Sequence, residues 1–390
     1  MKRLLACGIV PTVVCLLVLG VDTLRAAEKP LAQGESVRLG DTVATVTKLE
    51  GLPYVDSEYS RRFKFDNWDN PKLKQLRDRY HLEEVVAPGK DEFSRQVLLL
   101  DWVNRKFHKF GKPSSPATGA LDILAANDAG HTFFCAHYAE VFVSAAASLG
   151  WVDRSMALRR PDQPGRGGST EHTSTEIWSN QYGKWIMMDP TFGMYVEKDG
   201  VPLSAYELRQ DWFYHDGSGL TFVLDRGGKR VHKADMPVFR KRFPGFGDLS
   251  LDSGATDVYA FIGYIPNTNL MDAGKDYGGM FITQDKVCEG TKWHKRTVPK
   301  DPAHDPYFPI GQAAMTLTAD GAGLRVGLKT LTPNFKTYEM RVDGGAWKAC
   351  GERFDWKPHA GTNRVEVRTV NQFGVEGPIS AAVVTVETKG

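Results

Sequence analysis

The chain has 390 residues, 49 basic against 47 acidic, with 42% hydrophobic and 25% charged side chains. It is too long for one ordinary domain and too apolar for a disordered chain, so two or three folded units are expected. The charge balance, with no basic stripe interleaved with aromatics, argues against nucleic acid as a partner.

Lys2 and Arg3 precede an apolar run from Leu4 to Val21, and Ala26 and Ala27 follow it. This layout predicts a secretory signal peptide over residues 1–27 and an extracytoplasmic location, secreted or periplasmic. Gly8 and Pro11 shorten the run to about a dozen apolar residues, short for a membrane span, and a retained anchor is the alternative. Cleavage would remove Lys2, Arg3, Arg25 and Asp22 and leave the two charge signs equal. Three cysteines would remain: Cys135, Cys288 and Cys350. A bridge between Cys288 and Cys350 would leave Cys135 free, and three unpaired thiols is the alternative.

Residues 28–90 read as an N-terminal lead-in packed on the next domain. Alternation around Val43, Thr45 and Val46 predicts a short strand or two, and helix is expected near Leu73–Tyr80. A central unit spans 91–245. Asp91 can cap a helix whose apolar face is Phe93, Val97, Leu100, Val103 and Phe107. A short helix is predicted at Leu121–Ala126, and a longer, alanine-rich one from Phe134 to Leu149 with Gly150 as its stop. Arg159 to Thr170 reads as a Gly- and Pro-rich loop. His172–Trp178 and Lys184–Asp189 read as a hairpin around Asn180–Gly183, ended by Pro190. Helix at Ser204–Gln210 and strand at Leu220–Leu224 follow. Residues 226–250 are basic and aromatic but lack amphipathic helical spacing. Residues 246–309 form a connecting segment with one clear strand, Val258–Ile265. From 310 to 390, short alternating runs separated by turns predict a β-sandwich.

The chemistry concentrates in three residues. Cys135 opens a helix, where free backbone N–H groups and the dipole favour a thiolate. His172 and Asp189 lie at opposite ends of the hairpin. A register pairing them directly puts both on one face. A register shifted by two residues makes them diagonal neighbours, still on one face, and a slip by one separates them. In a cysteine triad Asp189 would accept the Nδ1 proton of His172 and leave Nε2 for Cys135. A metal site is the rival use of these residue types. However, Cys135 and His137, two apart on a helix, diverge by about 200°, so neither metal nor cofactor is expected.

These segments resemble the transglutaminase-like superfamily of papain-like cysteine enzymes. The resemblance rests on Gly130, Cys135 and Leu149–Gly150; on His172, Glu176, Ile177 and Trp178; and on Trp185, Asp189, Pro190 and Thr191. It covers about residues 91–210 and implies an α+β fold, helices packed on an antiparallel sheet, followed here by an all-β module resembling immunoglobulin or fibronectin type III domains. It further implies Cys135 as nucleophile, His172 as general base and acid, and Asp189 as orienter. Glu176, Trp178 and Trp185 are assigned to packing. Four residues separate Gly130 from Cys135 where the family often has one, and Thr173 stands where alanine is usual. The backbone N–H of Cys135 is one oxyanion donor, and His131 and Asn127 are the candidates for another.

Two functions follow as expectations. The first is a secreted cysteine acyl-transfer enzyme acting on peptide or amide bonds of a protein or peptide substrate, with water or an amine as acceptor and hydrolysis favoured. The second is an inactive scaffold that uses the sandwich to contact a cell surface or polysaccharide.

Overall fold

The computed structural model describes residues 29–159, 171–224, 228–232, 261–271, 280–282, 296–297 and 299–388. Residues 1–27, read from the sequence as a signal peptide, the Arg159–Thr170 loop beyond its first residue, most of 226–250 and Cys288 lie outside them. The architecture is α+β.

The chain begins with two paired strands, β1 (Ser36–Leu39) and β2 (Thr42–Glu50). Three helices follow: α1 (Pro71–Arg79), α2 (Leu82–Val86) and α3 (Glu92–Lys106). The start of α1 is set by Asn70, whose side chain accepts from the Lys72 N–H, and by Pro71 in the first turn. A capping box starts α3: Asp91 accepts from the Ser94 N–H at 2.8 Å, and Ser94 Oγ accepts from the Asp91 N–H at 3.0 Å. Each arrangement satisfies donors that a helix end leaves open.

Next come α4 (Ala120–Asp128) and α5 (Cys135–Ser148). Alanines keep α5 thin, and residues on all its sides are buried, Val141, Phe142, Ala145 and Ala146 among them. The helices cover one face of a ten-stranded sheet, with Ile177, Ile186 and Met188 facing them.

That sheet is built from β3 (Asp153–Arg159), β4 (Glu171–Ser179), β5 (Lys184–Asp189), β6 (Met194–Lys198) and β7 (Val201–Pro202), then, past α6 (Ala205–Tyr214), β8 (Leu220–Leu224) and β9 (Lys229–His232). β10 (Phe261–Tyr264), β11 (Met280–Ile282) and β12 (Arg296–Thr297) extend it at the β3 edge. The segment read as a connector thus supplies sheet strands. β3 escapes sequence reading because the fully buried Arg154 breaks its apolar pattern. On the face away from the helices, Arg154 pairs with Glu176 at 2.6 Å inside a ring of Trp185, Tyr264 and Tyr307.

The last seven strands are β13 (Ala314–Asp320), β14 (Gly323–Lys329), β15 (Phe335–Val342), β16 (Lys348–Cys350), β17 (Arg353–Trp356), β18 (Gly361–Asn371) and β19 (Ser380–Thr388). β13, β14 and β17 make one sheet, and the other runs β1-β2-β19-β18-β15-β16. Leu317, Val326 and Trp356 of the first pack against Val46, Val367 and Val384 of the second. The β-sandwich is there, but the lead-in is split: β1 and β2 belong to the sandwich, and α1 and α2 to the helical layer. Period-two alternation shows that β2 has an apolar face, with Ala44 and Val46 buried. It does not say which strand completes that face, and β19 does so from the far end of the chain.

The sandwich docks on the end of α5. Gly150 stops the helix at φ +83°, and a Cβ there would lie 2.5 Å from Phe373 Cβ. Asn371 Nδ2 donates to the Gly150 carbonyl at 2.9 Å. A cleft of about 970 Å³ runs along this junction, between Arg95 and Trp151 on one side and Arg368 and Ile379 on the other.

Candidate active site

β4 and β5 pair from Ser179↔Lys184 to Thr175↔Met188. That register sets Asp189 opposite Ser174 and diagonal to His172, on one face. Pairing stops there for a covalent reason: Pro190 comes next and has no N–H to give the ladder. The Met188 carbonyl takes two hydroxyls instead, Thr175 Oγ1 at 2.8 Å and Ser174 Oγ at 3.2 Å. The strands part, and a gap opens beside Thr173.

Cys135 fills that gap. The Trp178 N–H bonds to Val152 on the β3 side, so alternation turns the Thr173 N–H toward β5. With no β5 carbonyl there, it is left for the Cys135 thiol, whose pKa it helps to lower. The body of α5 lies on the helical face, and its first turn brings Cys135 to where His172 and Asp189 meet.

His172 Nε2 and Asp189 Oδ2 are 2.6 Å apart. Nδ1 of His172 has no hydrogen-bond partner, and Cys135 is the other ionisable group that acts on the ring. The nitrogens are therefore used in the opposite sense to the expected one: Nε2 meets Asp189 and Nδ1 is left for Cys135. Residue types alone carry no trace of this.

The other carboxylate oxygen is also held. Asp189 Oδ1 accepts from the N–H groups of Thr191 at 2.9 Å and Phe192 at 3.2 Å. Asn104, on α3, braces this turn, its Nδ2 donating to the carbonyls of Pro190 at 3.1 Å and Thr191 at 2.8 Å. Gly193, at φ +61°, leaves room for it, since a Cβ there would come within 2.9 Å of Asn104 Cγ. The ring of Phe192 lies 5.5 Å from that of His172.

All three residues are withdrawn from bulk water: Cys135 is 7% exposed, His172 2% and Asp189 0%. Burial by itself lowers the His172 pKa, but the Asp189 charge, its hydrogen bond and Cys135 outweigh it and raise the value to about 10. For Cys135, burial pushes the thiol up. The His172 ring with its imidazolium charge, and then the Thr173 N–H, bring it below the ordinary thiol value. The arrangement favours a thiolate beside an imidazolium, the form in which a cysteine attacks carbonyl carbon.

The two oxyanion candidates do other work. Asn127 is fully buried. Its Oδ1 accepts from the His108 N–H at 3.2 Å and its Nδ2 donates to the Lys106 carbonyl at 2.9 Å, tying α4 to the end of α3. His131 Nδ1 is 3.0 Å from Ser114 Oγ in the loop before the helix. His137 packs against the rings of Phe133 and Phe134, with centroids 4.9 and 4.8 Å away. Among the described residues, no group of three or more His, Cys, Asp or Glu is placed to hold a metal ion.

Sequence reasoning missed the Thr173 N–H, Asn104 and Tyr138. Pro190 is the legible sign of the first, since it predicts where the ladder fails. Tyr138 follows Cys135 by three residues and is 4% exposed, stacked on Phe107 with centroids 3.9 Å apart and planes at 14°.

No protein-family model matches the chain, and no curated protein does. Among solved structures, one from Cytophaga hutchinsonii, described as a proposed cysteine protease, aligns at 16% identity with a TM-score of 0.26. The alignment covers 38% of this chain and about half, 49%, of that one. The chemistry of the site rests on its own geometry.

Proposed function

We propose that the chain is a cysteine acyl-transfer enzyme of the transglutaminase-like, papain-related kind. One observation carries this reading: a cysteine at a helix start lies buried with a histidine that is hydrogen-bonded to a buried aspartate. Cys135 attacks the carbonyl carbon of a peptide or amide, and the carbonyl π electrons move to oxygen. His172 then protonates the departing amine, leaving a thioester on Cys135. Water or an amine, deprotonated by His172, attacks the thioester, and the thiolate leaves. Asp189 keeps the ring oriented and stabilises its charge. Hydrolysis is the favoured second step because water is always present. The leader-like residues 1–27 support action outside the cytoplasm, on a protein or peptide substrate.

Alkylation of Cys135 by iodoacetamide, followed by mass spectrometry across pH, tests the reading. A thiolate–imidazolium pair should alkylate fast well below the ordinary thiol pKa and hold that rate until His172 deprotonates near 10. His172→Ala should restore the profile of a simple thiol. A wild-type rate no greater than that of a free thiol would remove the enzyme reading and leave the scaffold.

A further inference from the structure

The acyl-transfer reading requires a donor for the oxygen that becomes negative when Cys135 attacks. The first turn of α5 supplies one, the Cys135 N–H, which no intrahelical carbonyl can satisfy. Asn127 and His131 are bonded elsewhere.

The geometry points to Tyr138 as the second donor, its phenol hydroxyl completing an oxyanion site with the backbone N–H of Cys135. This rests on the acyl-transfer reading and assigns it a further catalytic residue. Residues three apart share a helix face, and long helical side chains lean back toward the N-terminus. Tyr138 therefore lies over the turn that carries Cys135. Its ring is locked face to face on Phe107, and Phe133 and Phe110 surround the pair. The hydroxyl has no hydrogen-bond partner among the described residues, and it is not a fully enclosed atom. A phenol held in an apolar stack beside the nucleophile, with its donor unspent, suits an anion that exists only during reaction. Burial, and then the Cys135 charge, hold its pKa far above the working range, so the proton stays on to be donated.

In the step, the Cys135 sulfur bonds to the carbonyl carbon and the carbonyl π pair becomes a lone pair on oxygen. That oxygen accepts from Tyr138 Oη–H and the Cys135 N–H. Collapse restores the double bond and expels the leaving group, and no proton leaves Tyr138.

Two probes separate this role from a structural one. p-Nitrophenyl acetate acylates a thiolate through a tetrahedral oxyanion, releasing p-nitrophenolate. Iodoacetamide alkylates the same sulfur by displacement and forms none. Tyr138→Phe keeps the ring and its stack. It should slow the Cys135-dependent burst with p-nitrophenyl acetate by about 100-fold and leave the alkylation rate within about twofold. Cys135→Ser supplies the background. A burst within about threefold of wild type would overturn the assignment. So would an equal fall with both probes, which would mean that the phenol acts on the thiolate or the fold. A wild-type thiol inert to iodoacetamide sinks the acyl-transfer reading instead, before Tyr138 is changed.

Discussion

Cys135 and His172 shift each other's proton affinity in opposite directions, and this sets how the pair affects stability with pH. Unfolded, the two groups take their ordinary values, 6.5 for His and 9.0 for Cys. Above 6.5 and above the lowered Cys135 value, up to 9.0, the unfolded pair holds one proton, on the thiol, and the folded pair also holds one, on the imidazole, so its contribution is flat. Above 9.0 the unfolded thiol loses its proton while folded His172 keeps its own up to about 10, so stability falls as pH rises, by at most about 1.4 kcal/mol per pH unit. Urea titrations of wild type and the Cys135→Ala/His172→Ala double variant should differ by a contribution that is level just below 9.0 and falls from there to about 10. A difference that does not fall over that interval would contradict the ion pair.

Asn104 offers a second residue-scale expectation. Asn104→Ala removes two hydrogen bonds from the turn that holds Asp189, and a cost of about 1–3 kcal/mol is expected. With Asp189 less firmly placed, the high-pH edge of the alkylation plateau should move down. A plateau unchanged at both edges would reduce Asn104 to a structural brace. Cys135, His172 and Asp189 were legible because residue type, helix start and hairpin ends all bear on them. Asn104 was not, because its partners are carbonyls 86 and 87 residues away. The nitrogen of His172 that meets Asp189 was hidden as well, because residue type does not say how the ring is turned.

At the scale of elements, the Asp91 cap and apolar face of α3, the extents of α4 and α5 and the Gly150 stop of α5 gave themselves away within a few residues of their observed ends. Strand membership did not. β3 hides its place in the sheet behind the Arg154–Glu176 pair, and β10, β11 and β12 lie among turn-rich segments. The α5 helix links two levels, with the thiol at its first residue and the sandwich seated on its last turn. Gly150→Ala would strain a left-handed backbone position and push into Phe373. Thermal unfolding should show a loss of about 1–3 kcal/mol. A stability equal to wild type would mean that Phe373 moves aside at no cost.

For the whole molecule, the boundaries read from texture follow the sequence, whereas the fold does not. A sandwich was expected in 310–390, and two of its strands come from residues 36–50. Alternation marks a face and is silent about its partner across hundreds of residues. Deleting residues 29–50 should therefore unfold the C-terminal module rather than trim a tail, since β19 loses Ala44 and Val46 as neighbours. Loss of the sandwich's cooperative transition, followed by circular dichroism, is the expected outcome, and an unchanged transition would contradict it.

The pairing of β2 with β19 also orders events in time. Thr47 Oγ1 reaches the Val383 carbonyl across a separation of 336 residues. During synthesis the first strands emerge long before their partner, and their apolar face must wait, while the helical core can form from contacts closer in sequence. Closing so long a loop is slow more than costly, because loop entropy grows only with the logarithm of length. The sandwich should therefore close last on refolding. Until it does, β2 is an unpaired edge, and a chain arrested before residue 380 would expose a strand ready to pair with its neighbours.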